Sequence, residues 1–388
     1  MVRRVNARRW CVRTLALALL LTLPAFAASK NDEVDYLGLA TLLTRDGEYA
    51  RAEQALAAID PTAAGVDLIQ YHTVRGLLAL EQQKMTEAVA GFSAAIAAGQ
   101  TDPLVYLYLA QAHFGLEQYR DALNALDSAG DGVTALSGAW LMRAHAHWML
   151  GERQPAMDTL SAAGSQFPGN LSFMRRQVFY LIDAGLNLQA AELGRTYIAR
   201  ADGKSEDYIA IGTALRRAGG IDEALRFLES ARLRFPGDAG IDKALAQTWL
   251  GKGDPLAAAE ILATAALHEP ALNLEAAELF RRAGHYARAL RLNALIADPA
   301  AKLKQRIGIL IQQRRYDEVA ASEGALGRAG LLSDEDIRYA LAYAWYRIGD
   351  HTAAERNLVP LQRPELFRKA TELRRLMQEC ADARWTCA

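Results

Sequence analysis

Six alanines, Ala88, Ala122, Ala156, Ala190, Ala224 and Ala258, stand 34 residues apart in unbroken succession. Other residues keep step with them. Gly151, Gly185, Gly219 and Gly253 come five residues before four of these alanines, and Pro168, Pro236 and Pro270 come twelve after three of them. Phe92, Leu126, Leu160, Leu228 and Leu262 fall four residues after, and Ala95, Ala129, Ala163, Ala231 and Ala265 seven after. Offsets of four and seven share one face of an α-helix. Glycine supplies the left-handed backbone that ends a helix. Proline ends the next one, because it lacks an N–H and clashes with the preceding turn. The period therefore spells helix, turn, helix, stop. Paired alanines let two helices approach closely while the large residue between them fills the gap. One helix pair cannot bury its own apolar face, but a stack of pairs can.

Composition agrees. The chain is 51% hydrophobic and only 8% aromatic; Ala and Leu, both strong helix formers, dominate, and runs rich in Val, Ile and Thr that would mark strands are almost absent. The stretch "YIAIGTALRRAGGIDEALRFLESARLRFP" carries Tyr208, Gly212, Leu215, Gly219, Ala224, Leu228, Ala231 and Pro236, and "GAWLMRAHAHWMLGERQPAMDTLSAAGSQFP" follows the same plan. With these residues at a 34-residue period the sequence resembles the tetratricopeptide repeat (TPR) family. The pattern loosens outside this stretch. Gly47, Tyr49 and Ala52 mark a first repeat 36 residues before Ala88; Gly284, Tyr286 and Ala289 mark one only 31 after Ala258; "ILIQQRRYDEVAA" lacks the glycine; Gly349 and Ala354 restore it. The resemblance extends over roughly residues 34–379 and implies an all-α, right-handed α-solenoid of about ten helix-turn-helix repeats. Leu366, Ala370, Leu373 and Met377 share one helical face, which predicts a capping helix over 365–379 with a polar outer side, followed by a tail, 380–388.

The N-terminus reads differently. "MVRRVNARRWCVR" has five arginines and no acid, a short apolar run follows, and Ala25 and Ala27 form an A-x-A site. These are the three parts of a secretory signal, so residues 1–27 are expected to be cleaved and residues 28–388 exported, to the periplasm in a bacterium. The apolar run is shorter than the about 20 residues that a bilayer needs, so no membrane span is expected after cleavage. Five of the 44 Lys and Arg lie in the signal, leaving 39 against 45 Asp and Glu, a net charge of −6. That balance argues against nucleic acid as a partner. Cys380 and Cys387 remain; in an oxidising compartment they are expected to form a disulfide, the alternative being two free thiols.

Catalytic signatures are lacking. There is no G-x-S-x-G, P-loop or dinucleotide fingerprint at a strand–helix junction, so neither an enzyme nor a cofactor is expected. His113 and His147 lie 34 apart, with His145 nearby, but no cysteine or carboxylate completes a metal-ligand set; they read as replacements for packed aromatic residues. Arginine pairs recur at 175–176, 216–217, 281–282, 314–315 and 374–375, several at the end of a first helix, where cations complement the helix dipole; the alternative is an anionic partner. The TPR resemblance implies that first-helix residues 15, 11 and 8 before each reference alanine line a concave binding face. These are Leu107, Gln111 and Phe114; Leu141, His145 and Trp148; Arg175, Phe179 and Ile182; Ile209, Thr213 and Arg216; Lys243, Gln247 and Leu250. An aromatic stretch thus gives way to a polar, partly basic one. The alternative for Phe114, Trp148 and Phe179 is packing between helices. The Lys/Asn/Arg clamp with which some TPR domains grip a C-terminal carboxylate is not reproduced. The resulting expectation is an exported scaffold that binds another protein or an extended peptide, a cell-envelope component. The alternatives are a periplasmic accessory of exopolysaccharide secretion or of phage-receptor or outer-membrane machinery and, more remotely, an enzyme with an unrecognised site.

Overall fold

The computed structural model describes residues 34–382, all helices and turns. The expected signal, 1–27, lies outside them, and so does the expected Cys380–Cys387 bridge. Ten consecutive helix pairs, the second helix of the ninth broken at Ser322 into Tyr316–Ala321 and Glu323–Arg328, are followed by one long helix, Pro364–Asp382. The helices group into two compact units, Met1–Gln177 and Val178–Ala388, with the division inside helix Ser172–Asp183. In both units the pairs are antiparallel and sequential, a TPR-like solenoid arrangement.

The 34-residue marks become the packing. All six reference alanines are fully buried, as are Phe92, Leu126, Leu160 and Leu228. In the fifth pair Gly194 replaces the large residue. Ile211 of the next helix fills the space, and a methyl added at Gly194 would stand 2.6 Å from its Cγ1. In the shortened repeat Asn293 takes that position; fully buried, its amide donates to the Lys302 carbonyl at 2.9 Å and to Gln305 Oε1 at 3.1 Å.

The turn glycines are left-handed, with φ of 77° at Gly151, 75° at Gly185, 92° at Gly219 and 88° at Gly253. The same register in other repeats holds Gln83 (φ 61°), Glu117 (61°) and Arg314 (58°). The turn imposes this conformation even where no glycine relieves the Cβ clash. Aspartates open many first helices. Asp67 accepts from the Gln70 N–H at 2.9 Å and Asp238 from the Gly240 N–H at 2.9 Å, which satisfies donors that the helix itself leaves free. Asp254 caps helix Pro255–Ala265 through the Ala257 N–H, with Pro255 in its first turn.

The final helix buries Leu366, Ala370, Leu373 and Met377 against Ala342, Ala354, Leu358 and Leu361. Its other side is polar, with Arg375 paired to Glu372 and Glu379. It is the expected capping helix, longer by a turn. No helix among the described residues is long and apolar enough to cross a membrane.

Candidate partner-binding face

Within each unit several first helices of successive pairs lie directly against one another. In the first unit Leu68–Glu81 meets Pro103–Gly115, which meets Ser137–Met149; in the second, Ser205–Arg217 meets Ala239–Lys252. Side chains at one register of these helices therefore form continuous rows.

In the first unit the predicted row is partly a surface and partly core. Leu107 is only 2% exposed and packs with Leu126, Val133 and Met142. Packed among the second helix of its own pair and the start of the next first helix, it belongs to the core and cannot meet a partner, whereas Leu141, one repeat on in the same register, is half-buried. Gln111, Phe114, Leu141, His145 and Trp148 are half-buried. The Phe114 ring stands edge-on to Tyr119, centroids 5.4 Å apart, and 5.5 Å from the His145 ring on the next first helix. The Arg153 guanidinium lies 5.8 Å from the centre of the Trp148 ring, within reach of a cation–π attraction. Burial, and after it the Arg176 cation, pushes the His145 imidazole down to about 4, so the ring is neutral at pH 7 and packs as an aromatic.

The other two histidines do a different job. His113 Nδ1 lies 2.7 Å from Gln118 Oε1, and His147 Nδ1 lies 2.6 Å from Glu152 Oε2. Each ties the end of a first helix across the turn to the start of the second, one repeat apart. Glu152 also pairs with Arg120 of the preceding repeat, and these two partners hold its carboxyl below the usual range. No group of three or more metal-ligating side chains occurs among the described residues.

Helix Ser172–Asp183 carries Arg175, Phe179 and Ile182, all half-buried. Arg175 belongs to the first unit, Phe179 and Ile182 to the second. In the second unit Ile209, Thr213, Arg216, Lys243 and Leu250 are half-buried and Gln247 is exposed. Lys243 is tied to Glu269 at 2.8 Å.

In three of the five arginine pairs at least one member is neutralised internally. Arg281 makes a two-pronged contact with Glu278 at 2.7 and 2.5 Å, Arg315 pairs with Glu318, and Arg374 grips Glu355 at 2.8 to 3.0 Å. Reading the sequence for one helix at a time missed a further set of pairs at close to the repeat spacing: Lys84 with Glu53 at 2.7 Å, Lys252 with Asp222 at 2.8 Å, Lys304 with Asp334 at 2.6 Å and Arg234 with Asp202. The signal was present as opposite charges 30 to 32 residues apart.

Helix pairs stacked in sequence, with half-exposed rows along their first helices, define a TPR-like repeat protein. No protein-family model matches the chain, and no curated protein does. Many solved structures are similar to it. A tetratricopeptide repeat protein from Parabacteroides merdae ATCC 43184 has 14% identity and a TM-score of 0.45 over 63% of this chain and 100% of its own. YrrB, described as a TPR protein with an unusual peptide-binding site, has 20% identity and a TM-score of 0.38 over 47% of this chain and 94% of its own. PilW, described as a widely conserved type IV pilus biogenesis factor, has 14% identity and a TM-score of 0.43 over 55% and 100%.

Proposed function

We propose that this chain is an exported scaffold that binds another protein or an extended peptide, without catalysis, along the first-helix rows. The observation that carries the reading is the grouping in the first unit. Phe114 and His145 lie 5.5 Å apart on adjoining helices, half-exposed beside Gln111 and Leu141, with Trp148 in the same register as Phe114 one repeat on. A preformed set of rigid aromatic side chains gives large contact area at little entropic cost, and such anchors often carry about 2 kcal/mol or more each. Solved TPR structures include one described as having a peptide-binding site, which is compatible with this reading.

The test uses nonapeptides selected from a displayed library on the chain lacking residues 1–27. Trp148→Ala should weaken the selected peptides at least about tenfold, a loss of about 1.4 kcal/mol, with the melting temperature nearly unchanged. A variant that loses about 3–5 kcal/mol of stability while its folded fraction binds as before would make Trp148 a packing residue and remove it from the face.

Export rests on the N-terminal sequence alone. Protein recovered from an exporting bacterial host should begin at Ala28; material that retains Met1 would place it elsewhere.

A further inference from the structure

Arg216 and Arg281 occupy the same register, eight residues before Ala224 and Ala289, near the end of a first helix. Their surroundings differ in one respect. Three residues before Arg281 stands Glu278, which takes both prongs of its guanidinium and raises its pKa. Three residues before Arg216 stands Thr213. Among the described residues no carboxylate pairs with Arg216, and none pairs with its neighbour Arg217. Yet Arg216 is not a free surface cation. Its stem crosses Gly251 of the adjoining first helix, where an added methyl would meet its Cδ at 3.9 Å, and the residue is half-buried. Burial and the adjacent Arg217 both work against its charge. A partly desolvated guanidinium without a counter-ion is an unfavourable arrangement, and guanidinium geometry matches a carboxylate in two-pronged fashion.

We infer that Arg216 is the receptor for an acidic side chain, Asp or Glu, of the bound peptide, which supplies the carboxylate that Glu278 supplies internally to Arg281. The row beside it suits an extended chain. Ile209 and Leu250 offer apolar contact, and Gln247, exposed one turn before Gly251, offers an amide to the peptide backbone. The partner is thus an extended segment with an acidic residue among apolar ones. This inference rests on the peptide-scaffold reading above and assigns a selectivity to the second unit.

The test is a displayed nonapeptide library selected in parallel on the wild-type chain, on Arg216→Gln and on Thr213→Glu, the last installing the internal carboxylate of the Arg281 site. Wild type should enrich Asp or Glu at one position at least about threefold over the input, and peptides from that selection should bind each variant at least about fivefold more weakly. Thr213→Glu should melt no lower than wild type, which separates loss of the site from loss of the fold. Peptides enriched without an acidic preference, or a preference that survives in both variants, would overturn this inference and leave the scaffold reading standing. Failure to enrich any peptide would overturn both.

Discussion

One register holds Phe114 and Trp148 in the first unit and Arg216 and Arg281 in the second. The backbone beneath is the same in both, a first helix ended by a left-handed turn and packed on a fully buried alanine of the second helix. What differs is the treatment of charge. Around the first pair, burial makes even a histidine neutral, and His145 packs against Phe114. Around the second pair one arginine has a built-in carboxylate and the other has none. A repeat array thus separates two tasks that a compact domain combines. The buried residues, set by the period, hold the fold, and the half-exposed register, free of the period, sets what each stretch of surface can hold.

The comparison fails if the two units do not share their frame. Leu160 and Leu228 sit at the same position, each with no exposed surface. Leu160→Ala and Leu228→Ala should each cost about 2–5 kcal/mol, the transfer term plus the cavity left behind. Denaturant melts of the two variants should agree within about 1.5 kcal/mol, the scatter expected when cavities collapse to different degrees. A large loss at one site and less than about 0.5 kcal/mol at the other would show that the shared register is not a shared environment.

How much of this was legible in the sequence follows from which forces are local. The alanines and turn glycines act within one helix pair and appeared where the spacing placed them, as did the apolar side of the final helix; of the stop prolines, Pro168 and Pro236 follow a helix end by two residues, whereas Pro270 opens a short 3-10 helix. The surface rows were less legible. The spacing put Leu107 with Gln111 and Phe114, but it could not say that Leu107 turns inward, since helix registers fix a face only to within the width of a side chain. The histidine latches escaped for another reason. His113 and His147 repeat at 34, yet their partners Gln118 and Glu152 are chemically different, so the pairing emerges only when the turn brings position i and i+5 together. The division into two units falls in the repeat of Ala190, where Gly194 and Tyr197 stand in place of the large residue and the second alanine, but the 34-residue interval itself does not change there.

The aromatic side of the comparison can be sharpened with pH. An unperturbed histidine titrates near 6.5, and burial pushes His145 in the folded chain down to about 4. Between these values the unfolded chain binds the extra proton and the folded chain does not, so stability rises with pH across the window. The contribution is complete above about pH 6.5 and is lost as pH falls toward 4. It is bounded by about 3.5 kcal/mol, since one pKa unit is about 1.4 kcal/mol, and the partial exposure of the ring reduces it. His145→Phe removes the titration while keeping an aromatic ring, so its melting temperature should fall less than that of wild type between pH 6.5 and 4. Parallel pH profiles for the two proteins would mean that carboxylates elsewhere account for the acid sensitivity.

The smallest effect probes the frame where the sequence departs from it in both units. Glu117 in the first and Arg314 in the second hold φ of 61° and 58° at the turn position where other repeats have glycine. A side chain in the left-handed region carries a penalty of about 1–2 kcal/mol that glycine escapes, but glycine also gains freedom in the unfolded chain, which takes back about 0.4–1 kcal/mol. Glu117→Gly and Arg314→Gly should therefore each stabilise the protein by about 0.5 kcal/mol. The sign matters more than the size, since an exposed substitution to glycine ordinarily destabilises a helix. Arg314 follows the end of helix Pro299–Gln312 by two residues. If its variant melts lower than wild type while that of Glu117 melts higher, that turn is held by contacts of the arginine itself, and the two units do not share this part of their frame.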